Sequence, residues 1–180
     1  MTPRELEEYR ALRATIRERG TTRSWLCFAG LFGWASLTIA TAALAELPVA
    51  TLLPLLVLAT SFELVFALHT GVERIGRYIQ VFFEEKGDEG AADPGWEHRV
   101  MAYGRLFPGG GSDPLFTIYF LIATLFNFIP VILAGAVPVE YAVVGAIHLL
   151  FVARLVVARR QASRQRTVDL ERFQQLKQRP

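Results

Sequence analysis

Four side chains that can carry charge, move a proton or hold a strong hydrogen bond stand inside otherwise apolar stretches of this 180-residue chain: Glu63, Asn127, His148 and Arg154. An ionisable group at the centre of a spanning helix costs about 2.5–3.5 kcal/mol on insertion scales, so it needs either a task or a partner. A carboxylate and an imidazole at membrane depth could line a hydrated path, bind a cation or relay a proton. The same residues could instead satisfy one another, Glu63 with Arg154 or His148, and His148 with Asn127. At a rise of about 1.5 Å per residue, Glu63 falls roughly 10 Å from the inner end of its segment, and Asn127 and His148 fall near the midplane. Arg154 is one turn or so from the inner surface, where its long stem lets the guanidinium snorkel.

A second constellation lies at the inner surface. His69 and Glu73 stand four residues apart on one helical face, and with Glu97 or His98 they could ligate a metal. That spacing recurs by chance in helices, and neither a metal nor another cofactor is expected. His69 and His148 lie at unequal depths, which does not suit axial haem ligation. The run Gly109-Gly110-Gly111 lacks the preceding strand and the Lys-Ser/Thr ending of a phosphate loop, and no nucleophile–base set, zinc-protease helix or dinucleotide fingerprint is present. Cys27 is the single cysteine, so no internal disulfide or cysteine metal cluster can form; it reads as a small packing residue.

The elements that must position these groups are apolar segments at about 25–45, 49–69, 115–134 and 139–158. A membrane-spanning helix needs roughly 20 mostly apolar residues, so the expected fold is all-α, with four transmembrane helices in two hairpins. The polar residues are periodic. Thr60, Glu63, Thr70, Arg74 and Arg77 share one face of the second segment and its extension. Thr117, Thr124 and Asn127 share a face of the third, and Tyr141, Gly145, His148 and Arg159 a face of the fourth. The cheapest arrangement turns these stripes inward. Ala29, Gly33, Ser36 and Ala40, continued by Ala43, make a stripe of small residues on the first segment, expected to be a close-packed seam within the chain.

All nineteen Lys and Arg residues lie outside the two short turns that join the segments of each hairpin. The positive-inside rule then places both termini and the central connection, 70–114, in the cytoplasm, with Glu46-Leu47-Pro48 and residues 135–139 outside. The expected home is a cell membrane, of the bacterial inner-membrane type. The same rule accounts for the basic arms, so nucleic acid is not an expected partner; the lipid bilayer is, together with further copies or a membrane-complex subunit. Ala43-Leu44-Ala45 resembles a signal-peptidase site, but a charged arm of about 24 residues ahead of a long apolar run reads as an uncleaved span.

The flanks read as amphipathic helices. Thr2-Pro3-Arg4-Glu5 has capping-box spacing, with Pro at the first helical position. Leu6, Tyr9, Leu12 and Ile16 follow, and Gly20 is the expected stop of a helix over 1–20. The second segment is expected to continue to about Glu85, and Pro54 to kink it. After a polar loop at 86–95, Trp96, Val100, Tyr103 and Phe107 predict a short interfacial helix. The tail, 159–180, extends the fourth segment as a basic helix.

Three functions are compatible with these features. The first is a non-enzymatic, self-associating membrane protein with an ion or small-solute path lined by Glu63, Asn127 and His148. The second is an accessory or scaffold subunit of a larger membrane complex. The third is a membrane enzyme with a metal at the inner surface.

Overall fold

The computed structural model describes residues 1–42, 47–85, 95–107 and 113–179, and among these every regular element is helical. The helices are α1 (Pro3–Ala42), α2 (Leu52–Ile79), α3 (Trp96–Leu106), α4 (Thr117–Leu133) and α5 (Pro138–Gln178). A 3-10 turn over Pro48–Thr51 leads into α2, and a π turn over Gln80–Glu84 ends it. Three of these stretches, Pro3–Thr41, Pro48–Glu84 and Pro138–Gln178, are long and apolar enough to cross a membrane. The apolar α4 is shorter, at 17 residues. Ala43-Leu44-Ala45 and most of the loops at 86–95 and 108–114 lie outside the described residues.

The termini of these helices follow their local chemistry. The Thr2 hydroxyl accepts the Glu5 backbone N–H at 3.2 Å and the Glu5 carboxylate accepts the Thr2 N–H at 2.8 Å, which completes the capping box. Glu140 does the same for the start of α5, accepting the Val137 N–H at 3.0 Å. At α4 the Asp113 carboxylate accepts the N–H groups of Leu115 and Thr117 at 3.1 and 2.7 Å. Gly135, at φ +63°, takes the left-handed position that turns the chain after α4.

One expectation is corrected. Helix α1 runs straight through Gly20. A glycine ends a helix by adopting positive φ, and among the described glycines only Gly135 does so. Pro54 sits in the first turn of α2, where a backbone N–H has no intrahelical acceptor to lose. The continuations of the second and fourth segments are present as read, to Glu84 and Gln178.

The chain forms two compact units: a charged one comprising Met1–Thr21, Leu68–Ser112 and Gln161–Pro180, and an apolar one comprising Thr22–Ala67 and Asp113–Arg160. The apolar unit is centred on Phe62, whose ring meets Phe120 at 5.3 Å and Phe151 at 6.1 Å, both edge-on. Leu58, Val65, Val131, Val144 and Leu155 complete that core. Its outer surface is also apolar, with Trp25, Phe28, Phe32, Leu125, Phe126, Leu149 and Leu150 exposed. Apolar surface on this scale fits insertion into a membrane. In the charged unit Tyr78, Phe82, Phe83 and Phe173 form a ring cluster with centroids 4.8–6.2 Å apart.

The small-residue stripe is only partly at a packed surface. Ala29, Ser36 and Ala40 are exposed. Close approach of α1 to α2 uses Gly30, where a Cβ would collide with Ser61, and Gly33, whose Cβ position lies 3.4 Å from Val57. The contact therefore runs along a neighbouring line of α1, with Gly33 alone shared.

Candidate functional site

The apolar unit holds a closed polar knot. Asn127, on the inner face of α4 and 0 % exposed, uses its whole amide. Its Nδ2 donates to the Thr51 carbonyl at 2.8 Å and meets His148 Nε2 at 3.0 Å, and its Oδ1 accepts from Trp34 Nε1 at 3.1 Å. His148 Nδ1 lies 2.8 Å from the Val144 carbonyl. A carbonyl can only accept, so Nδ1 carries the proton; Nε2 faces an amide donor and presents its lone pair. His148 is thus a neutral imidazole with both nitrogens committed. The knot joins residues of α1, the turn before α2, α4 and α5. Sequence reasoning paired Asn127 with His148 but missed Trp34 and the Thr51 carbonyl. The signal for Trp34 was its placement mid-segment, where an indole N–H needs an acceptor.

Glu63 and Arg154 are brought together elsewhere in the same unit. Arg154 Nε and Nη2 reach the two carboxylate oxygens at 2.7 and 2.8 Å, a bidentate fork. The guanidinium also lies over the Phe66 ring, 4.8 Å from its centroid. This pair is not inside the bundle. Glu63 keeps 49 % and Arg154 32 % of its side-chain surface exposed. Thr60 is exposed as well, and its hydroxyl donates back to the Leu56 carbonyl at 2.6 Å. The expectation that Thr60 and Glu63 turn inward is therefore corrected. An α2 helix that buries Leu55, Leu58, Phe62 and Val65 must turn the positions between them outward.

The rest of the second-segment stripe belongs to the charged unit. Thr70 is half-buried there, and Arg74 reaches Asp169 at 3.3 Å. Arg77, 3 % exposed, donates to Gln80 Oε1 at 2.7 Å and to Glu97 Oε2 at 3.2 Å. Arg13 binds the other Glu97 oxygen at 2.6 Å and approaches Glu84 at 3.7 Å. The Glu84 carboxylate accepts the backbone N–H groups of Glu97 and His98 at 3.0 and 2.9 Å, which caps α3. Glu73 is held by Arg166 at 2.8 Å. Burial lowers the Arg77 pKa, and the carboxylates of Glu73 and Glu97 restore only part of it. Burial also pulls on Arg13, but its hydrogen bonds with Tyr9 and Glu97 outweigh that and raise its pKa.

A cavity of about 330 Å³ opens beside this network, lined by Val72, Glu73, Gly76 and Arg77 of α2, by Glu97, Val100 and Met101 of α3, and by Ser163, Arg166 and Thr167 of α5, among others. The pairing of Arg13, Arg166 and Asp169 with distant acidic and basic residues carried no local sequence signal.

His69, Glu73 and His98 are not assembled into a metal site. Among the described residues no three His, Cys, Asp or Glu side chains converge. Glu73 is engaged by Arg166, and the His98 backbone N–H is engaged by Glu84. No family model, no curated protein and no solved structure matches this chain.

Proposed function

We propose that this protein is a four-span membrane scaffold whose helical extensions form a cytoplasmic docking module for partner proteins. The observation that carries this reading is the closed knot around Asn127. Of the side chains expected to line a path, Asn127 and His148 are consumed in bonds to each other, to Trp34 and to the Thr51 and Val144 carbonyls, so His148, with both nitrogens engaged, has no free position at which to relay a proton. Three polar contacts that tie α1, the turn before α2 and α5 to Asn127 of α4 fix one arrangement of this unit, a structural task. The extensions, by contrast, carry a dense ion-pair network and an open cavity. Basic residues on every extension and on the central connection support a cytoplasmic placement in a bacterial-type inner membrane.

Reconstitution into liposomes tests this directly. The scaffold reading expects wild-type protein to add no proton or potassium flux over empty vesicles. It also expects proteins that co-purify from native membranes to be lost when residues 2–19 are removed. Flux that appears with the wild type and disappears in Glu63→Gln would replace this reading with a conduction path.

A further inference from the structure

We infer that the cavity of about 330 Å³ in the charged unit is a binding site for a small organic oxyanion, a carboxylate or phosphate ester carried on a short apolar body. The inference goes beyond the scaffold reading, which concerns partner proteins, and it would stand even if liposomes showed flux.

Helices α2, α3 and α5 each turn one face to this cavity. Glu97, Val100, Met101 and Gly104 have the i, i+3, i+4, i+7 spacing of a single face of α3, and Ser163, Arg166 and Thr167 the i, i+3, i+4 spacing of one face of α5. The volume falls at the lower end of the range for small-molecule pockets, about 300–1,000 Å³, and admits more than a bare inorganic ion. Ile16, Val72, Val100 and Met101 supply an apolar wall, and Ser163, Arg166 and Thr167 a polar one. Gly104 keeps room on the α3 side, because a Cβ there would meet nothing within 4 Å.

The sign of the ligand follows from the charges already spent. The two oxygens of Glu73 face Arg166 Nε and Nη2 at 2.8 and 3.2 Å. Those of Glu97 face Arg13 and Arg77 at 2.6 and 3.2 Å. A cation entering the cavity would have to displace a guanidinium from one of them. The arginines are not used up in the same way. Arg166 turns its Nε and Nη2 to Glu73, which leaves Nη1 for a ligand, and its side chain keeps 38 % of its surface exposed. A guanidinium edge is a strong donor to carboxylate and phosphate oxygens, and the neighbouring Thr167 adds an exposed hydroxyl. Arg77 stands behind this edge, 3 % exposed, with a buried Nε that has no acceptor. Burial lowers its pKa and the positive charge of Arg166 lowers it further, against the pull of Glu73 and Glu97. A negative group in the cavity relieves that strain on both arginines.

Equilibrium binding to the full-length protein in nanodiscs tests the site. Phenylacetate is the probe; phenethylamine carries a similar body with the opposite charge, and inorganic phosphate is an oxyanion without a body. In phosphatidylcholine discs phenylacetate should bind saturably and about tenfold more tightly than either control, the worth of a charge-assisted hydrogen bond or of a buried ring. Arg166→Gln should weaken it about tenfold. Gly104→Leu should weaken it to a similar extent by filling the cavity, while amide exchange in α3 stays as slow as in the wild type, since leucine is the better helix former. Discs containing phosphatidylglycerol separate the sources of the natural ligand. Weaker phenylacetate binding there means that a lipid headgroup enters the cavity, and unchanged binding means that a soluble anion does. The site is overturned if phenylacetate does not saturate in phosphatidylcholine discs, if either control binds as tightly, or if either variant, folded by circular dichroism, binds like the wild type.

Discussion

Asn127 ties three elements of the apolar unit to α4 through one amide, which bonds Trp34 Nε1, the Thr51 carbonyl and His148 Nε2. Its replacement by Ala takes a partner from Trp34 Nε1, the Thr51 carbonyl and His148 Nε2 at once. Interhelical hydrogen bonds in membranes average about 0.6 kcal/mol and reach about 1.7, so losing several together should cost roughly 1–3 kcal/mol. A thermal unfolding series in detergent reads this, and Asn127→Ala is expected to be clearly less stable than Phe126→Ala, a neighbour on the outer face of α4. Equal stability of the two variants would mean that the knot contributes nothing. Part of this was legible in the sequence. A lone Asn and a lone His at equal depth in adjacent segments must find partners, and the nearest were each other. Trp34 lies 93 residues from Asn127 and the Thr51 carbonyl 76. No local pattern encodes contacts of that range, and a backbone carbonyl leaves no trace in residue type.

At the scale of elements, periodicity identified α2, α3 and α5 but not which faces they bury. In water an apolar stripe marks the core; in lipid the outside is as apolar as the inside, so the same stripe is ambiguous. That is why the line Ala29, Ser36 and Ala40 has the pattern of a packed seam yet is exposed, and why Thr60 and Glu63 share a polar stripe yet face outward. The end of α2 shows a second limit. The π turn over Gln80–Glu84 has no sequence mark, yet it lies where Glu84 caps α3. Gly95, immediately before α3, belongs to the same device, since a Cβ there would collide with the Glu84 carboxylate. Glu84→Gln and Gly95→Ala should therefore fail alike. Each should cost about 0.5–2 kcal/mol, the usual value of a lost cap, and should speed amide hydrogen exchange across residues 98–106 while leaving α1 protected. If exchange in α3 stays at wild-type rates in both variants, the cap is incidental. A single outlying behaviour, with Gly95→Ala altered and Glu84→Gln not, would place the constraint in the backbone at Gly95.

At the scale of the whole molecule, the open quantity is the number of crossings, and α4 decides it. Its 17 residues span about 25 Å, against about 30 Å of hydrocarbon, at the lower edge of the range for a spanning helix. Two arrangements follow. If α4 crosses, the chain passes four times and both termini share one side. If α4 dips in and returns, the chain passes three times and the termini are opposed. The charge distribution favours the first. Eight of the nineteen basic residues lie from Arg154 onward and six precede Trp25, so a three-pass chain would export one of these two clusters against the positive-inside bias. Hydrophobic shortfall of a few residues is met by local thinning or by flanking residues at a cost of fractions of a kcal/mol per Å. Moving a basic cluster across the bilayer is far more expensive. Protease-accessible tags fused to both ends, examined in intact spheroplasts and in inverted vesicles, should be protected together in the former and cleaved together in the latter. Cysteine replacing Glu140, in the short turn before α5, should label in the opposite pattern. Tags cleaved from opposite sides would establish a three-pass chain, and Arg154 would then have to enter the bilayer from the other leaflet than Glu63, which is incompatible with the 2.7 Å fork between them.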